Sequence, residues 1–154
     1  MKGIILYTSK YGSTKRYAEW LAEETGFDCV ETKKAKLEAV KQYDTILLGG
    51  GIYASGIAGL PFLKKNMAQL REKKVIVFCD GASPYEERAF QQIVAHNLKD
   101  SLSVQSCFWS PASSKAFSQI SQSSGFFFAT AFWSILQSVL SARDMASGSQ
   151  APRQ

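Results

Sequence analysis

The chain has 154 residues, enough for one domain around one core and too few for a second catalytic domain beside it. Its 45% apolar content is ordinary for a soluble globular protein. The formal charge of +5 does not point to nucleic acid, because basic and acidic residues alternate on one predicted helix (Lys15, Arg16, Glu19, Glu23, Glu24), where an electrostatic nucleic-acid site needs a clustered stripe.

Gly3 to Tyr7 is a continuous apolar run of strand length, and the polar loop containing Gly12 follows at once. The opening MKGIILYTSKYG turns polar too early for a secretory core, so it reads as a first strand of a cytoplasmic protein. From Thr14 to Thr25, the positions Tyr17, Ala18, Trp20, Leu21 and Ala22 recur at helical spacing, and Gly26 is a stop signal. Phe27 to Glu31 is a second strand. A lysine-rich helical segment leads to a third, Asp44 to Leu48, which ends in Gly49, Gly50 and Gly51. A helix starting near Leu60-Pro61 precedes the clearest strand, Lys74 to Cys79, and residues 85 to 98 form the next helix.

Alternation of this kind predicts an α/β fold: a doubly wound, parallel, five-stranded sheet whose ligand loops lie beyond the carboxyl ends of its strands. After about residue 102 serine becomes frequent and Asp144 is the only acidic residue. Val104 to Ser110 can supply the fifth strand and Phe126 to Leu140 a mostly apolar helix, giving a domain over 1–142 and a disordered tail over 143–154. Phe126 to Leu140 is too short and too rich in Thr, Ser and Gln for a membrane span, which needs about 20 apolar residues; peripheral attachment stays open.

Three loops carry chemistry. Ser9, Lys10, Tyr11, Gly12, Ser13 and Thr14 lie between a buried strand and a helix N-terminus, where amides and hydroxyls can surround a phosphate; Ser13 or Thr14 as a plain helix cap is the competing reading. The loop has neither the Gly-Lys-Ser/Thr ending of a P-loop nor a dinucleotide GxGxxG, which favours a mononucleotide phosphate. Gly50, Gly51, Ile52, Tyr53 and Ala54 follow the third strand, and Gly81, Ala82 and Tyr85 the fourth. Each loop offers one tyrosine, and together the two make a site for a flat aromatic ring bearing a phosphate, although either tyrosine alone could be plain packing. Cys29, Cys79 and Cys107 form no CxxC or metal-binding pattern and read as reduced, buried thiols. His96, the only histidine, falls on the last clear helix, away from these loops.

The stretches ILYTSKYGSTKRYAEWLA, LLGGGIYASG and VIVFCDGASPYEE resemble the flavodoxins, particularly the compact flavodoxin-like domains grouped with bacterial protoporphyrinogen oxidases, over about residues 1 to 100. The resemblance implies strand order 2-1-3-4-5 and non-covalent FMN, its phosphate held by Ser9 to Thr14 and its ring flanked by Tyr53 and Tyr85. It also implies that the Ala54-Ser55 peptide, after the third strand, faces the flavin. The implied function is electron transfer to a redox partner protein or small-molecule acceptor; the alternative is an oxidoreductase of the protoporphyrinogen oxidase type acting directly on a substrate or quinone. The basic balance departs from the acidic surface of many electron-carrier flavodoxins, and the stretch after about residue 103 departs from their charged, helix-forming end. A phosphorelay receiver shares the architecture but needs acidic residues where this chain has Thr8-Ser9 and Gly49-Gly50.

Overall fold

The computed structural model describes residues 2–81, 86–98, 104–111 (backbone only) and 137. Ala82 and Tyr85, the tail 143–154 and, but for Gln137, the segment Phe126 to Leu140 lie outside the described residues. The elements run β1 (Gly3–Thr8), α1 (Ser13–Thr25), β2 (Asp28–Glu31), α2 (Leu37–Val40), β3 (Thr45–Tyr53), β4 (Gly56–Ile57), α3 (Leu60–Leu70), β5 (Lys74–Gly81), α4 (Glu87–Leu98) and β6 (Val104–Pro111).

The main sheet is parallel in the order β2-β1-β3-β5-β6, which is the predicted five-strand topology, with β4 added antiparallel to β3 as a short hairpin. Alternation along each strand divides the core in two. Ile4, Leu6, Ile46, Leu48, Val75, Val77 and Cys79 face α3 and α4, where Leu60, Leu63, Leu70, Phe90 and Ile93 pack on them. Ile5, Leu47, Ile76 and Phe78 face α1, meeting Tyr17, Ala18 and Leu21. Burial on both sides explains why these strands read as unbroken apolar runs.

Four boundaries differ from the sequence expectation. Gly49, Gly50 and Gly51 are not a loop but the second half of β3, paired to Tyr7 and Thr8 of β1 and to Phe78, Cys79 and Asp80 of β5. Their role is close packing: a methyl on Gly49 would run into the Phe78 ring, and one on Gly50 into the Ala58 carbonyl oxygen. Likewise β5 continues through Asp80 and Gly81. The lysine-rich helical segment shrinks to a 3₁₀ turn over Thr32–Lys34 and one turn of helix, α2. The expected strand at Phe27 starts one residue later, because the Phe27 ring turns into the α1 layer against Gly3.

Candidate functional site

The order β2-β1-β3 reverses direction between β1 and β3, and the loops after these two strands open the crevice where ligands of doubly wound sheets bind. The loop after β1 is closed by the Gly12 amide, which donates to Ser9 Oγ at 3.0 Å. Gly12 takes φ +95° as the N-cap of α1 and offers no side-chain cap, and nothing lies within 4 Å of the place a side chain would fill. The helix therefore presents its first-turn amides and the positive end of its dipole beside open space, the arrangement an anion needs.

Beneath this loop lies a residue the sequence reading passed over. Asp80 follows Cys79 on β5, so alternation turns it toward α1, and it is only 3% exposed. Ser13 Oγ donates to Asp80 Oδ2 at 2.5 Å and Thr14 Oγ1 donates to Asp80 Oδ1. Two hydroxyls and the adjacent helix N-terminus compensate the buried charge. The same charge, after burial itself, pushes the Tyr17 phenol far above its ordinary range and keeps it neutral. Ser13 and Thr14 are thus tied inward, and neither hydroxyl caps the helix of its own chain.

Above the loop stand the aromatics. Tyr11 is 78% exposed and Tyr53, at the end of β3, is 41% exposed; their ring centroids are 6.5 Å apart. Lys10 Nζ lies 5.2 Å from the Tyr11 centroid and 5.9 Å from that of Tyr53, within cation–π range of both. The structure thus brings together Ser9 to Thr14 and Tyr53, and it adds Tyr11 to the aromatic surface; Tyr85, the other expected ring neighbour, lies outside the described residues.

Gly50, Gly51 and Gly81 are buried strand residues at the floor, and Ile52 is half-buried against the α3 layer. Ala54 and Ser55 connect Tyr53 to Gly56 as a two-residue turn, with φ 48° and 66°. Positive φ at both positions is the type I′ pattern that suits tight hairpins, but for residues with a Cβ it costs about 1 kcal/mol each. Asn97 of α4, 6% exposed, meets this hairpin: its Nδ2 donates to the Ser55 carbonyl at 2.6 Å and to the Ile93 carbonyl at 2.8 Å, while Oδ1 accepts the Ile57 amide at 3.1 Å.

His96 is nearer than expected. With Ser55, Ala89, Gln92 and Ile93 it lines a depression of about 380 Å³ beside the hairpin. Cys79 is buried in the core, and burial, together with Glu19, pushes the half-buried Cys29 thiol up to about 11, so it stays protonated near neutral pH.

An open doubly wound α/β domain with an anion-ready helix end and an aromatic surface at its switch point is the class these features define. The flavodoxin domain family matches residues 4–112, and the chain belongs to that family. It is 27% identical over 100 residues to an uncharacterised protein of Methanocaldococcus jannaschii, covering 64% of this chain and 67% of that one. Among solved structures it is similar to the Trp repressor binding protein of Bacillus subtilis (TM-score 0.57, 14% identity, 73% of this chain and 85% of that one). It is also similar to a WrbA-like flavodoxin of Agrobacterium tumefaciens (0.53, 18%, 70% and 75%) and to two-electron reduced Megasphaera elsdenii flavodoxin (0.51, 22%, 70% and 84%).

Proposed function

We propose that the chain binds FMN without a covalent link and serves as an electron-transfer flavoprotein. The observation that carries the reading is the juxtaposition of the uncapped N-terminus of α1 with the Lys10, Tyr11 and Tyr53 cluster. The residues fit the group: the first-turn amides of α1 can take a phosphate, Lys10 adds positive charge, and the two tyrosines offer faces to a flat ring. When bound, FMN supplies the redox chemistry. The protein holds and orients it, and the exposure of Tyr11 and Tyr53 leaves that side open to a redox partner protein or a small acceptor. The reduced thiols of Cys29 and Cys79 suit a reducing, cytoplasmic setting. Among the described residues no helix is long and apolar enough to cross a membrane.

The test is a visible absorption spectrum before and after incubation with FMN and removal of excess. A retained flavin spectrum, with FMN recovered on denaturation, upholds the proposal. A folded, colourless protein that takes up no FMN overturns it. Turnover of a quinone or porphyrinogen by the loaded protein alone, without a partner, would move the assignment from carrier to oxidoreductase.

A further inference from the structure

We propose that Asn97 is the positioning residue of the ring-binding hairpin: from α4 it presets the Tyr53 to Gly56 turn in the conformation that receives the flat ring. The inference rests on the flavin reading above. β4 is only two residues long and pairs with β3 alone among the described residues, so its outward amide and the turn carbonyl need partners that no further described strand supplies. A side-chain amide carries one acceptor and a donor group, like a peptide. Asn97 uses both on residues two apart, accepting from the Ile57 amide and donating to the Ser55 carbonyl, and so stands in for the missing neighbour strand. Its second donation, to Ile93 one turn back in its own helix, fixes the rotamer; the Ile57 bond is buried away from water, and the two donated bonds are part-buried.

The hairpin needs this support. Ala54 and Ser55 are held at positive φ without being glycine, and the ladder between β3 and β4 has only two residue pairs, Ile52 with Ile57 and Tyr53 with Gly56. Tyr53 is the last residue of β3 and the one that faces Tyr11 and Lys10. A turn free to change its φ angles would carry Tyr53 and the Ala54-Ser55 peptide out of register with that cluster. Asn97 therefore acts on the ring and not on the phosphate, whose cradle is built on the loop between β1 and α1.

That division supplies the test. In Asn97→Asp the shape and the acceptor for Ile57 remain, while the donor to Ser55 and Ile93 is replaced by a carboxylate oxygen that their carbonyls repel; Asn97→Ala removes all three bonds. Affinities for FMN and for riboflavin, which lacks the phosphate, are measured by fluorescence quenching on the full chain, and exchange of the Ile57 amide is followed without flavin. Both affinities are expected to fall about tenfold or more by a common factor, and in Asn97→Ala, which takes away the Ile57 acceptor, Ile57 exchange is expected to accelerate more than that of the β1 amides. A uniform loss of global stability would accelerate both sets alike and overturn the proposal, as would a folded Asn97→Asp protein with wild-type riboflavin affinity or a folded Asn97→Ala protein with unchanged Ile57 exchange. If the unaltered chain takes up neither flavin, the functional reading fails, and the exchange comparison alone decides whether Asn97 holds the turn.

Discussion

At the scale of single residues, Asp80 sets a problem that its neighbours only partly solve. It is a buried carboxylate directly under the loop proposed to hold a phosphate, and it takes the hydroxyl protons of Ser13 and Thr14 that could otherwise be offered to the ligand. Two like charges within several ångströms of each other repel by about 1 to 3 kcal/mol at the dielectric typical of partly buried sites. Asp80→Asn keeps the shape and one acceptor, removes the charge and frees a hydroxyl. FMN is therefore expected to bind about tenfold tighter to the variant while riboflavin affinity stays within about twofold, read by parallel titrations at fixed salt; an equal change in both would mean that Asp80 acts through the fold and not on the phosphate. Neither Asp80 nor Asn97 stands out in the sequence. A lone aspartate after a strand reads as loop, and the partners of Asn97 on the hairpin are 40 and 42 residues away in the chain. Ser9 to Thr14 and Tyr53 could be found because their signal is local: hydroxyls, a glycine and aromatics packed into short stretches beside a strand end.

At the scale of elements, legibility follows the same distinction between local and distant causes. The strands β1 and β5 declare themselves because both faces are buried and the apolar run is unbroken. The end of β3 does not, since glycines are the usual mark of a turn and only the tertiary neighbours reveal why they sit in a strand. The two-residue β4 is too short to leave any periodic signal. The packing reason gives a prediction. In Gly50→Ala the added methyl meets the Ala58 backbone, which cannot swing aside as a side chain could, and Ala58 is itself tied to β3 by its amide donating to Gly51 O at 2.9 Å. The variant is expected to lose about 2 kcal/mol or more of stability, seen as a lower denaturant midpoint at unchanged slope. Gly12→Ala, where the space is open and only the left-handed φ resists, is expected to cost about 1 kcal/mol. An Ala at position 50 tolerated as easily as at position 12 would show that the segment after β3 can shift, against the close-packed strand described.

At the scale of the whole molecule, the net charge of +5 sets the field into which a ligand or partner diffuses. Many electron-carrier flavodoxins are acidic around their flavin, but here Lys10 stands at the mouth of the crevice and the carboxylate nearest the loop, Asp80, is buried beneath it. On the proposed reading the far field and the near field oppose each other: the net positive charge would draw a phosphate dianion in, and the buried carboxylate would weaken its hold once it arrives. The two are separable by salt. Raising ionic strength from about 0.01 M to 0.15 M shortens the screening length from roughly 30 Å to roughly 8 Å, which removes long-range attraction and leaves a buried interaction nearly intact. FMN association, followed by stopped-flow quenching, is thus expected to slow about three- to tenfold over that range while uncharged riboflavin is unaffected, and the tighter binding of Asp80→Asn should persist at the higher salt. An FMN association rate indifferent to salt would mean that the positive charges lie too far from the crevice to steer, and would return the basic surface to the role of a solvated shell around a site that works by contact alone.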